Sequence, residues 1–416
     1  QGFLFAGLRA LDVALRQCGA RLVVVRGQPA RVLRQLLTEV GASGVVAEED
    51  YSPYARRRDA AVARAVPLAL VTGVSVHHPR DVLKSDGRPY TVYTPYARAW
   101  RALPSPHRRG LLAAPAAMPP LPRIEGEAVP AGEEPPLFPA GEAEAARRLA
   151  RFTRGPSAPL HGYTGGRDRL DLDGTSALSP YLRFGMLSAR RAVVAALEAD
   201  GRGQGSGAGT WLAELIWREF YLAILYHFPG VLAGAFNRDL ARVPWRRAAA
   251  DLRAWQSGRT GYPIVDAGMR QLRETGWMHN RARMIVASFL VKDLLVDWRS
   301  GETWFMRELI DGDPAANNGG WQWVAGTGTD AAPYFRIFNP LLQARRYDPD
   351  GAYVRRWVPE LARVPAPLVH EPWRLTSLEQ KGAGLAIGRD YPMPVVDHGV
   401  ARARTLAAYA RARGPR

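Results

Sequence analysis

The chain is poor in the residues that build covalently held scaffolds. Cys18 is the only cysteine in 416 residues. Neither a disulfide framework nor a cysteine-based metal site is possible, and a reducing compartment is expected. Lysine is nearly absent, with Lys84, Lys292 and Lys381 the only three. Long apolar runs are missing as well. The longest, Met284–Val291, falls well short of the roughly 20 residues that cross a bilayer. No signal peptide is visible. The first residue is Gln rather than Met, which points to a fragment.

What is abundant is arginine. Lysine and arginine number 56 against 39 acids, a net charge of +17. A GC-rich codon bias would put arginine in place of lysine, but it does not explain the excess of bases over acids. A polyanionic partner, with nucleic acid the natural one, is inferred. Apolar content of 47% is ordinary for a globular protein, and the length allows two or three domains.

Residues 1–102 alternate between helical spacing (Gly2–Gln17, Pro29–Val40, a run from Pro53) and short apolar runs (Arg21–Arg26, Val45–Ala47, Val66–Val71). Short buried strands between helices predict a parallel α/β sheet. It opens on a helix, as though a first strand were missing. Residues 103–141 carry ten prolines and read as an interdomain linker. From 142 to 416 almost everything reads as helix, interrupted by a Gly-rich break at Gly201–Gly209. Eleven of the twelve tryptophans fall between Trp211 and Trp373, so this helical part has a use for indoles.

Four stretches stand out. Asp311–Trp323 holds two carboxylates, two adjacent asparagines and two indoles among Gly and Pro. It is either a packed structural loop or the wall of a polar, aromatic site for a planar ligand. Thr175–Pro180 sets three hydroxyls before a helix, as a plain N-cap or a phosphate site. In Trp211–Tyr221, the residues Trp211, Glu214, Arg218 and Tyr221 share one helical face, a salt-bridged surface or a binding wall. A fourth stretch, Gly276–Met284, opens a helix that is apolar nearly all round. Its His279 has no metal partner at helical spacing and reads as a hydrogen-bonded structural histidine. No nucleophile–base pairing is visible, which suggests that a cofactor does the chemistry.

The runs WLAELIWREFY, TGYPIVDAGMRQL, TGWMHNRARM, LIDGDPAANNGGWQW and GTDAAPYFRIFNP resemble the photolyase/cryptochrome family, most of all the bacterial class I cyclobutane pyrimidine dimer photolyases. The resemblance implies a Rossmann-like α/β N-terminal domain, truncated here by about fifty residues by family size, followed by an all-α domain holding FAD. It implies light-driven repair of pyrimidine dimers in DNA: reduced FADH⁻ passes an electron to a flipped-out dimer. Carried over by motif, Tyr163, Thr175, Ser176, Ala177, Leu178, Ser179, Trp211, Arg218, Asn280, Arg283, Asp311, Gly312, Asp313 and Asn317 would contact the cofactor. Asn317 would face flavin N5, where the plant receptors have Asp, and this favours a repair enzyme over a cryptochrome-like signalling protein. Glu214, Trp217, Asn280, Met284 and Trp323 would cradle the dimer, with Arg281, Arg336 and Gln343 touching its edge or the backbone. Trp321, Trp298 and Trp245 would relay electrons between flavin and surface. An antenna chromophore (folate, deazaflavin or flavin) is usual in the family and is left unassigned. A monomeric bacterial protein of the cytoplasm and nucleoid, with no membrane role, completes the expectation.

Overall fold

Leu4, Leu8, Leu11 and Leu15 fall on one helical stripe, and Gly2–Gln17 forms helix α1. Proline at the first turn starts Pro29–Val40 (α2), which Gly41 ends with φ of 65°. Proline also starts Pro53–Ala63 (α3), whose first turn is capped by Ser52. Strands β1 (Val45–Glu48) and β2 (Leu68–Val71) pair in parallel, Val45 opposite Leu68, with α3 as the crossover. The computed structural model describes residues 1–135, 137–200 and 207–413. The chain divides into one unit of Gln1–Thr164 with Thr175–Pro229 and another of Gly165–Gly174 with Gly230–Arg416.

The expected strand at Arg21–Arg26 does not join this sheet. Val24 makes a single antiparallel bridge to Glu127, whose N–H donates to the Val24 carbonyl at 2.7 Å. The Arg21 guanidinium bonds the Ile124 carbonyl. The Pro-rich stretch therefore takes up backbone groups that sequence alone assigned to a ladder.

In the first unit α4 (Tyr93–Ala102), α5 (Glu142–Thr153) and α6 (Ala189–Ala199) accompany a long helix, α7 (Gly207–His227). The Gly-rich break expected at Gly201–Gly209 is corrected in part. Residues 201–206 lie outside the described residues, but Gly207–Gly209 are already helical. A Cβ on Gly207 would sit 1.8 Å from the Leu160 carbonyl oxygen. Close approach of two backbones requires glycine here, and packing overrides its low helix propensity.

The second unit is built on α8 (Pro263–Thr275), α9 (Asn280–Ser288), α10 (Trp298–Glu308), α11 (Pro314–Ala325), α12 (Pro340–Tyr347), α13 (Ala352–Trp357) and α14 (His398–Arg413). Gly276, at φ of 66°, ends α8. α9 runs into a π-turn at Phe289–Asp293, and Ile285, Val286, Phe289, Leu290 and Val291 lie in the centre of the core.

Lys292 is buried beside that core, at 1% exposure. Its amine donates to the Ala325 and Tyr334 carbonyls at 3.3 Å and lies 3.9 Å over the Tyr409 ring. Burial pushes its pKa down from 10.5 to about 7. The unfolded chain therefore holds an extra proton between those values, so stability rises as pH climbs through that window. Between about pH 7 and pH 9 the native protein is expected to gain roughly 2 kcal/mol over a Lys292→Met variant. Paired urea titrations read this, and parallel pH profiles of the two proteins would refute it.

Candidate functional site

The hydroxyl run of the first unit lies in a strained turn. Ala177 has φ of +46°, a conformation that costs a non-glycine residue and that clusters at ligand sites. The N-cap position of the short helix Ser179–Arg183 is Leu178, which has no side-chain acceptor. Thr175 and Ser176 therefore do not serve as its cap, and both are half-buried. Tyr163 and Trp211 are buried and meet the same ring, Phe152, at 5.5 and 5.0 Å between centroids.

On α7, Glu214, Trp217 and Arg218 are half-buried. Arg218 donates to the Val74 and Leu182 carbonyls at 2.7 and 3.4 Å. Trp217 lies flat against Tyr93 of α4, centroids 3.7 Å apart. Sequence reading missed Glu219, which is 3% exposed. Its carboxylate accepts from the Trp100 indole at 2.7 Å and from the backbone N–H of Val76 and His77 at 2.5 and 3.4 Å. Burial raises its pKa, and these three donors oppose the rise. The signal was in the sequence: Glu219 stands three residues after Ile216 and four before Ala223, an acid inside the apolar stripe.

The second unit carries the acidic and aromatic part. Asp313 caps α11, accepting from the N–H groups of Ala315 and Ala316 at 2.9 Å each. Asp311 accepts from Arg283 at 2.8 Å, and Arg283 also donates to the Met278 carbonyl at 2.8 Å. The other Asp311 oxygen, Oδ1, is buried without a hydrogen-bond partner among the described residues. A buried carboxylate oxygen needs a donor, and a sugar hydroxyl or a ring N–H of a large ligand is of the right kind. Asn317 donates to the Glu302 backbone carbonyl at 3.0 Å, while Asn318 donates to the Glu302 carboxylate at 2.8 Å. Glu302, which the sequence reading did not single out, thus holds both amides.

His279 caps α9. Its Nδ1 accepts the Arg281 N–H at 3.1 Å, and burial lowers its pKa to about 4. Its Nε2 is a further buried atom without a partner among the described residues, as is Gln343 Oε1. The Asn280 amide lies 3.9 Å from the Met284 sulfur. Arg281 pairs with Asp168 at 2.7 Å and lies 4.4 Å over the Tyr347 ring. The exposed Arg336 stands 6.0 Å over Trp323, itself half-buried.

Trp321, Trp298 and Trp245 belong to one core. Trp321 and Trp298 are 2% and 3% exposed, and the half-buried Trp245 packs against the same cluster. Trp321 meets Phe305 edge-on at 5.0 Å and Trp255 at 6.1 Å. Gly301 makes room for it, since a Cβ there would lie 2.1 Å from the indole.

Comparison with known proteins gives the family context. Residues 1–120 match the family model described as DNA photolyase, and residues 211–411 match the FAD binding domain of DNA photolyase. Among curated relatives, the deoxyribodipyrimidine photo-lyase of Escherichia coli is 42% identical over 98% of this chain and 88% of its own length. That of Thermus thermophilus is 44% identical over 86% of this chain and 82% of its own. Among solved structures, a class III photolyase from Agrobacterium tumefaciens matches 100% of this chain and 88% of its own, with a TM-score of 0.90 and 39% identity. A photolyase from Sulfolobus tokodaii with two FAD molecules matches 99% of this chain and 88% of its own at TM-score 0.77 and 28% identity.

Two expectations are corrected by these matches. The expected kinship with class I is overturned by a match over the whole chain to a photolyase of class III. The N-terminal α/β domain expected to be truncated is matched as a DNA photolyase domain, and with the helical FAD-binding domain both parts of the fold are present. The opening helix had suggested a lost strand, but α1 is seated within its own unit. Its Phe3 is 2% exposed and lies 5.5 and 5.8 Å from Tyr181 and Phe184.

Proposed function

The chain belongs to the DNA photolyase family, with that family's light-dependent activity on pyrimidine dimers and its FAD cofactor, and from this premise we propose how its own residues carry the reaction. Bound in its reduced form, FAD supplies an excited-state electron to the dimer. The strained turn Thr175–Ser179 gives hydroxyls and backbone N–H groups to the phosphates, with Tyr163, Trp211 and Arg218 beside them. Asp311, held by Arg283, takes a sugar or ring donor on the oxygen that lacks a partner. Gly312, Asp313 and Asn280 complete the cradle. Asn317, fixed through the Glu302 carbonyl, faces the flavin edge with an amide, which holds a hydrogen bond there but does not deliver a proton as a carboxylic acid does.

The dimer is held by Glu214, Trp217, Asn280, Met284 and Trp323. The indoles stack on the planar damaged pair, and Glu214 hydrogen-bonds a base edge. Arg281, Arg336 and Gln343 contact the lesion edge or backbone. The net charge of +17 supports docking on DNA, with affinity falling steeply as salt rises. Trp245, Trp298 and Trp321 pass electrons inward from the surface. The working species is a monomer in the bacterial cytoplasm, where its DNA lies. No helix among the described residues is long and apolar enough to cross a membrane.

The observation that carries the cofactor assignment is the partnerless buried Oδ1 of Asp311. The test of the lesion assignment is Glu214→Ala in protein loaded with reduced FAD and mixed with thymine-dimer DNA. Repair per absorbed photon is expected to fall by roughly 10-fold, the loss of one hydrogen bond worth about 1.4 kcal/mol. Wild-type yield in that variant would remove Glu214 from the site.

A further inference from the structure

Trp217 is held in place by a residue of α4. The Tyr93 and Trp217 rings lie with centroids 3.7 Å apart and planes within 5° of parallel. Aromatic pairs usually meet offset or edge to face, with centroids about 4.5–7 Å apart. This pair is closer and more eclipsed than ring preference alone produces, so something else fixes it. The Tyr93 hydroxyl donates to the Ala213 carbonyl at 2.8 Å, one turn before Trp217 on α7, and anchors the far end of the tyrosine. Phe220 stands edge-on to both rings, 5.6 Å from Trp217 and 6.0 Å from Tyr93. The other end of α4 is tied to α7 through the Trp100–Glu219 bond at 2.7 Å. Although Tyr93 covers one π-face of Trp217, the indole remains only half-buried.

We propose that Tyr93 is a positioning residue for lesion recognition. By covering one face of Trp217 and setting its plane, it presents the remaining ring surface, already ordered, to a flipped-out pyrimidine dimer. The inference rests on the assignment of Trp217 to the lesion wall. An indole free to change rotamer would lose that freedom on binding, and the loss would weaken the complex. The ordering is made in the free protein instead. It acts on dimer-containing DNA alone, because undamaged duplex places no base against Trp217. It leaves the photochemical step untouched once the dimer is seated.

The test uses full-length protein loaded with reduced FAD. Affinity is measured in the dark for an oligonucleotide bearing one thymine dimer and for the same sequence undamaged. Repair per absorbed photon is then measured with the dimer saturated. Tyr93→Ala is expected to weaken dimer binding roughly 5-fold, with undamaged-DNA affinity and saturated yield at wild-type values. Tyr93→Leu, which keeps bulk against α7 but removes the π-face, should show the same loss. Tyr93→Phe, which keeps the covering ring but loses the bond to the Ala213 carbonyl, should fall between wild type and Tyr93→Ala. Trp217→Ala tells the two assignments apart. If it weakens dimer binding while Tyr93→Ala and Tyr93→Leu do not, the role of Tyr93 is overturned and the wall stands. If Trp217→Ala leaves dimer affinity unchanged, the wall assignment and the role of Tyr93 fall together. Equal losses on damaged and undamaged DNA in the Tyr93 variants would also overturn it.

Discussion

A Trp321→Phe protein is expected to lose photoreduction of its oxidised flavin almost completely, yet to repair dimers at the normal yield once the flavin has been reduced chemically. Trp321 is 2% exposed and packed against Phe305 and Trp255, so a phenyl ring in its place stays buried and the fold tolerates the change. Phenylalanine is much harder to oxidise than indole. An added barrier of only about 4 kcal/mol would slow the first inward electron hop ~1000-fold. Repair from pre-reduced enzyme needs no such hop. Bleaching of flavin absorbance under blue light with an external reductant measures the first quantity. Dimer content after illumination of dithionite-reduced protein measures the second. A variant inactive in both would mean that Trp321 belongs to the lesion or cofactor contacts and not to the relay.

The second large effect is at Asp311. Its side chain is 2% exposed and is the ion-pair partner of Arg283 at 2.8 Å. Removing one member of such a pair leaves an uncompensated charge, at a cost of about 3–5 kcal/mol when burial is complete. Arg283 keeps a quarter of its side-chain surface, so the lower end applies. That cost falls on stability; cofactor affinity loses the hydrogen bond to a charged carboxylate, about 3 kcal/mol at most, which is roughly 100-fold. Asp311→Ala is therefore expected to purify largely without yellow colour, with its helical circular dichroism retained. Asp311→Asn keeps an acceptor but not the charge and should hold an intermediate amount of FAD. Full flavin content in Asp311→Ala would show that the partnerless oxygen faces something other than the cofactor.

The sequence was most informative where local rules act alone. Gly276 ends α8 and Asp313 caps α11 just before Pro314, and both follow from residue type and spacing. The buried helix at Met284–Val291 was legible because no polar face interrupts it. What failed depended on distant partners. Arg21–Arg26 has the composition of a strand, but its Val24 bridges to Glu127 and its Arg21 side chain bonds the Ile124 carbonyl, about a hundred positions away. Gly207–Gly209 looks like a break because helix propensity is local, whereas the Leu160 carbonyl that demands glycine there is not. Arg283 and Asp311 were singled out only as cofactor contacts implied by the family resemblance, and nothing in their 28-residue separation requires them to pair. Tyr93 was invisible for the same reason, being one aromatic residue among several until α4 lies along α7.

The buried carboxylate of Glu219 has a consequence for how this protein can be divided. Its donors are the Trp100 indole and the amides of Val76 and His77, all supplied by the matched N-terminal domain, while Glu219 itself lies within the stretch matched as FAD-binding. An engineer who excised residues 1–102 to obtain a minimal flavoprotein would strip a desolvated anion of every donor named here. Modular shuffling of the N-terminal half between relatives therefore has to carry the Trp100 corner and the loop at 76–77 along with it, or neutralise position 219 in the same step.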